Sequence, residues 1–166
     1  MTLLAPKRSA AQAAPYVRAG ALALLLLALT SMHHAYGAFV FDTPWRLHII
    51  ALTLPAALLI VAALLLAYRR RGTAMGSAGT LAAAAIILTF PVAAIGLYEG
   101  GYNHVVKNVV YFAFGEQAAR VIFPAPLYEM PNDFLFETTG IAQFPLAILT
   151  TMAAIGMVRA GRMARG

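Results

Sequence analysis

The sequence predicts an all-α, polytopic membrane protein: four transmembrane helices in a bundle, with an outer cap of amphipathic helix and loop. Three observations carry that prediction. Hydrophobic residues make up 61% of the chain and charged residues 11%, against roughly 45–50% and about 25% in soluble globular domains. Four segments approach the ~20 apolar residues that cross a ~30 Å hydrocarbon core. Nine of the twelve lysines and arginines flank those segments on one side, as the positive-inside rule describes. The 166 residues read as a single membrane domain, 1–166, with no room for a second domain of ordinary size. The chain has no cysteine, which excludes disulfides, thiolate metal sites and cysteine nucleophiles.

The first span is expected at 17–35, and "AFVF" continues its apolar character as far as Phe41. Its basic start, the run "AGALALLLLALT" and the small residues "AYGA" also fit a secretory signal peptide cut near Gly37 or Ala38. The apolar continuation past the histidines favours an uncleaved span. The second span, 45–68, opens on "DTPWRLH": Asp42 or Thr43 suits the N-cap and Pro44 the first helical position. The third is expected at 80–98 and the fourth at 141–158. Pro55, Pro91 and Pro145 lie inside spans two to four; each removes a backbone donor and favours a kink that neighbouring helices can satisfy.

The remaining stretch, 99–140, reads as an outer loop, long for a bundle whose links usually take roughly 2–8 residues. Within it "YNHVVKNVVYF" sets His104, Lys107, Asn108 and Tyr111 at helical spacing, predicting a short amphipathic helix in the membrane interface or over the bundle end. "FPAPLYEMPNDFLFETTG" starts extended because of its prolines, with helix resuming near Asn132. On that helix Asp133 and Glu137, four apart, would share a face.

Lys7, Arg8, Arg18, Arg69, Arg70, Arg71, Arg159, Arg162 and Arg165 lie on the side the rule makes cytoplasmic. The expected location is a bacterial inner membrane with both termini inside. Because the basic residues flank spans, the net charge of +6 is a topology signal, and no nucleic-acid partner is expected. All six acidic residues and all four histidines fall on the outer side, where any chemistry should lie.

Three groups there could carry chemistry. Arg46, beside Trp45, opposes the macrodipole of a helix N-terminus and needs compensation by Asp42, an outer-loop carboxylate or an anionic ligand; Trp45, Tyr98 and Asn103 complete this candidate ligand site. His34, His48, Glu99 and His104 could supply the three or four ligands of a transition metal, and two histidines on different spans could hold a haem. His33 and His34, about 100° apart on a helix, should not both face one site. Asp133 and Glu137 are further candidate metal ligands or acid–base groups. Each group also has a structural reading: ion pair between outer loops, polar cap at the membrane surface, solvated loop face.

Spans two to four hold no strongly polar side chain apart from His48 and Gln143 at their ends, which disfavours coupled transport by this chain alone. No nucleophile elbow, P-loop or dinucleotide fingerprint is present. The leading expectation is a non-catalytic accessory or scaffold subunit whose periplasm-facing cap docks a membrane-protein partner or a second copy, within the lipid bilayer. The alternatives are a metal-, haem- or quinone-binding protein using the outer His, Glu and Arg residues, an interfacial enzyme on a lipid-soluble substrate, and a transporter working as an oligomer.

Overall fold

A computed structural model describes residues 5–164 of the backbone, with side chains from Ala10 onward. Arg165 and the side chains of Lys7 and Arg8 lie outside the described residues. The chain is all-helical, and four of its helices are long and apolar enough to cross a membrane. Among the described residues the elements are, in chain order, α1 (Ala5–Val40), a 3-10 turn (Pro44–Leu47), α2 (His48–Arg69), α3 (Ala74–Ile87), a wide-wound helical segment (Leu88–Val106), α4 (Lys107–Phe114), α5 (Glu116–Ile122) and α6 (Phe134–Met163). From Ala74 to Phe114 the third helical rod is unbroken.

Its middle is the unusual part. Between Leu88 and Val106 the backbone is a π-helix, in which hydrogen bonds run five residues apart rather than four. Pro91 lies near its start and has no N–H to offer, and its ring would crowd the carbonyl of Ile87 in a regular α-helix. A wider winding relieves that crowding. At the far end the Lys107 N–H still reaches the carbonyl of Tyr102. The segment packs on α6 through glycine: a Cβ on Gly100 would stand 2.8 Å from the Phe144 backbone nitrogen, and one on Gly96 would collide with the Ala147 side chain. Small residues four apart let two backbones approach closely.

The core is built from small and medium residues, among them Ala19, Ala23, Leu26, Ile60, Ala83, Ile87, Ala147 and Met157. Large aliphatics such as Leu54, Leu58, Leu81, Leu149 and Met152 point outward, while Thr30, His33, Gln143 and Thr150 are buried. That inversion of the soluble pattern is compatible with a helical bundle in lipid. A second small core, Ala119, Phe123 and Met130, fixes α5 and the loop after it against Val110 and Tyr111 of α4.

Several expected boundaries are corrected. The third helix does not stop at residue 98: Glu99, Asn103, His104 and Lys107 lie inside it. The expected outer loop at 99–140 shrinks to α5 and the irregular residues around it, and the separate amphipathic helix is the continuation of the third rod. α6 starts at Phe134, close to the Asn132 at which helix was expected to resume, and runs unbroken through the fourth apolar run, so Gln143 is well inside the helix rather than near its end. The long helices therefore do carry strongly polar groups toward one end. α1 runs on to Val40. Thr43 precedes a 3-10 turn rather than capping α2, and its side chain makes no capping bond; Arg46 sits in that turn and His48 begins α2.

Candidate metal centre

At the histidine-bearing end of the bundle, α1 and the wide segment converge on one carboxylate, and α6 backs the histidines from the far side. Glu99 Oε1 lies 3.7 Å from His33 Nε2, 3.5 Å from His34 Nε2 and 3.6 Å from His104 Nε2. One ligating atom from each of His33, Glu99 and His104 lies within 4.8 Å of the others. The π winding makes this possible. Residues five apart stand about 140° apart on an α-helix at 3.6 residues per turn, but a helix bonded five residues apart brings Glu99 and His104 toward one side. Asn103 steadies the carboxylate by donating Nδ2 to Glu99 Oε2 at 2.7 Å.

Both adjacent histidines of α1 come within 4 Å of Glu99, although only His33 belongs to the group whose ligating atoms lie within 4.8 Å of one another. The 100° between their Cα–Cβ directions is absorbed by the length of two imidazoles approaching one oxygen from either side, with rings in edge contact at 5.4 Å. His33 is the deeper, 1% exposed, its ring stacked on Phe136 at 4.2 Å.

The far nitrogens decide the protons. Glu137 Oε1 accepts from Lys107 Nζ at 2.8 Å, and its Oε2 accepts from Asn108 Nδ2 and faces His104 Nδ1 at 2.9 Å. A carboxylate holding those donors is an acceptor, so His104 carries its proton on Nδ1. His33 Nδ1 lies 3.0 Å from Thr139 Oγ1, whose one proton goes to the Leu135 carbonyl at 2.7 Å. His33 therefore also donates from Nδ1. In their neutral forms both histidines turn an Nε2 lone pair toward the Glu99 carboxylate, and His33 Nε2 is buried without a hydrogen-bond partner among the described residues. A lone pair facing an anion in a buried site is unfavourable, and a proton on Nε2 or a bound cation would relieve it.

His34, Glu99 and His104 border a cavity of about 300 Å³ that Trp45, Arg46, Tyr98 and Asn103 also line. Arg46 is buried; its Nε donates to Thr43 Oγ1 at 2.8 Å, its Nη2 lies 3.6 Å from Glu129 Oε1, and its guanidinium sits 4.9 Å from the Trp45 ring centre. Of the compensations expected for it, the loop carboxylate is the one in place, while Asp42 is exposed with φ of 50°. Tyr98 meets Tyr128 through their hydroxyls at 3.3 Å, and that bond, with partial burial, pushes Tyr128 up to about 12.

Two candidate ligands stand apart. His48 lines the cavity but is exposed, with Nδ1 2.6 Å from the Trp45 carbonyl. Asp133 does not share a face with Glu137: it is the N-cap of α6, accepting from Phe136 N at 2.8 Å, and takes the Tyr36 hydroxyl at 3.1 Å. Glu137 touches His104 rather than the Nε2 side of the cluster. The sequence reading missed His33 as a group member, and Lys107, Asn108, Thr139 and Gly140 as its supports. The i, i+3, i+4 spacing of His104, Lys107 and Asn108 was visible; their common partner on α6 was not. The rings of His33 and His104 touch edge to face at 4.7 Å, leaving no slot for a haem between them.

No protein-family model, curated protein or solved structure matches the chain.

Proposed function

We propose that this is a multi-pass membrane protein that binds one divalent transition-metal ion between its first and third spans, with His33 and His104 ligating through Nε2, Glu99 through Oε1, and His34 turning in to complete the set, while Glu137 and Thr139 of the fourth span orient the histidines. The observation that supports this most is the convergence of three imidazole Nε2 atoms on one carboxylate oxygen. A tetrahedral ion with bonds of ~2.1 Å has six ligand-to-ligand edges of about 3.4 Å; the three from the carboxylate oxygen are 3.5, 3.6 and 3.7 Å here, and His34, outside the group whose atoms all lie within 4.8 Å of one another, has to turn toward His33 and His104 to complete the others. Three imidazoles and one carboxylate without sulfur suit Zn²⁺ or a neighbouring first-row ion rather than Mg²⁺ or Ca²⁺. Glu137 and Thr139 on the far nitrogens are the orienting partners that metal-bound histidines regularly have.

The flanking basic residues favour both termini in the cytoplasm; on that orientation the centre would lie at the periplasmic edge of a bacterial inner membrane. α2 has 22 residues, about 33 Å at 1.5 Å rise per residue, so its first residue, His48, marks the depth of that edge. The test is elemental analysis of protein purified in mild detergent, stripped with a chelator and reloaded with zinc. One ion per chain, lost in His104→Ala and Glu99→Gln, supports the reading; no stoichiometric ion in the folded wild type ends it.

The accessory-subunit reading stands second, supported by Phe112, Phe114 and Val121, each more than 70% exposed on α4 and α5. Co-purification of a defined partner that Phe112→Ser abolishes would support it, and a monomer with no partner would count against it.

A further inference from the structure

Among the described residues at this end of the bundle, Arg46 is a buried permanent charge whose counter-group, Glu129, stands off at 3.6 Å without a hydrogen bond to its Nη2. Glu99 faces three imidazoles, and Glu137 holds Lys107, Asn108 and His104. Lys107 also donates to the Glu129 carbonyl at 2.7 Å. Arg46, by contrast, is 5% exposed, yet its Nη2 has no hydrogen-bond partner among the described residues. Glu129, at 3.6 Å, is beyond the ~2.7–2.9 Å of a charge-assisted bond. Glu129 is half-buried on a loop, so its carboxylate can turn away from the cavity without uncovering the core.

The cavity onto which Arg46 opens is polar at one end and apolar at the other. Ile49 of α2 and Phe90, Ala94 and Ile95 of the wide segment form the apolar end. Its volume, about 300 Å³, matches the small end of the ~300–1,000 Å³ range of ligand pockets. A planar guanidinium fork matches a carboxylate or a phosphate bidentately; with the acidic Glu99 and Glu129 also lining so small a cavity, the singly charged carboxylate is the head that fits.

We infer that this cavity binds a small amphipathic carboxylate, its head on Arg46 and its short hydrocarbon part against Ile49, Phe90, Ala94 and Ile95. The inference goes beyond the metal reading and does not depend on it, because no hydrogen bond or ion pair joins Arg46 to the metal ligands among the described residues.

The chain's one tryptophan, Trp45, lines the cavity and serves as the reporter. Wild-type protein in nanodiscs is titrated with hexanoate and, separately, with hexanol, with metal content measured on the same samples. Hexanoate should give a saturable change in Trp45 fluorescence that hexanol does not. Arg46→Gln should weaken it at least tenfold and Arg46→Lys by less. Ala94→Leu, at an exposed residue that fills the apolar end and leaves the guanidinium alone, should abolish it, which decides the matter even if the Arg46 variants fail to fold. Equal responses to hexanoate and hexanol would mean simple partitioning and overturn the inference, as would full affinity in folded Arg46→Gln. Hexanoate binding without stoichiometric metal would sink the metal reading alone, and metal without hexanoate binding would sink this one alone.

Discussion

Gly140 is the tightest point of the metal centre. It lies on α6 one turn beyond Phe136, and a Cβ there would collide with the Cγ, Cδ2 and Nδ1 atoms of His104. In Gly140→Ala the imidazole has to retreat until carbon atoms stand about 3.5–4.0 Å apart, a shift of roughly 1 Å, whereas metal–ligand bonds tolerate only about ±0.2 Å. The retreat also breaks the 2.9 Å bond from His104 Nδ1 to Glu137. Overpacking of this kind costs about 1–3 kcal/mol of stability, and loss of an orienting partner costs about 10–100-fold in metal affinity. The assay is zinc affinity by competition with a chelating dye, together with thermal denaturation in the same detergent. Gly156→Ala is the control: it lies in the same helix with no atom within 4 Å of a Cβ. It should be neutral or stabilise by up to ~1 kcal/mol. If Gly140→Ala binds zinc as tightly as the control, His104 is not a ligand and the tetrahedral assignment fails.

Four other outcomes are expected. Glu99→Gln, removing the one anionic ligand, should lower zinc affinity by more than about 100-fold, beyond the usual loss for an orienting partner, while helix content by circular dichroism stays unchanged. Glu137→Leu leaves Lys107, 1% exposed, without its carboxylate and should destabilise the protein by about 3–5 kcal/mol; thermal denaturation reads this, and a loss under 1 kcal/mol would show that the Glu129 carbonyl suffices. Asp133→Ala removes the α6 cap and should cost about 0.5–2 kcal/mol with zinc stoichiometry intact, which separates Asp133 from the centre. His48→Ala should leave zinc affinity unchanged in a competition titration, and a tenfold loss would make it a ligand.

Four apolar runs were enough to place the four long helices, because span length and flanking charge are physical constraints read directly from composition. The boundaries failed where polar residues entered a helix. Glu99, Asn103, His104 and Lys107 look like the start of a loop when hydropathy alone is followed. Their hydrogen bonds close against one another and against α6, so the helix continues through them. That closure depends on partners 29–33 residues away, which periodicity does not see. The same blindness hid the π winding, which needs Pro91 and the glycine contact with α6 together. His34, Glu99 and His104 could be grouped from the sequence because topology put them at one end. Excluding His33 rested on ideal helix angles, and the width of an imidazole was enough to defeat that argument. Asp133 and Glu137 show the converse: equal chemistry and good spacing, but one sits at a cap, where its carboxylate serves the backbone.

X-ray absorption spectroscopy at the zinc edge of the reloaded protein tests the central claim most directly. The proposed centre predicts nitrogen and oxygen neighbours at about 2.0–2.1 Å with the outer-shell scattering of three imidazoles, falling to two in His34→Ala, which keeps the His33, Glu99 and His104 ligands. A shell without imidazole scattering, or one left unchanged by that substitution, would contradict it.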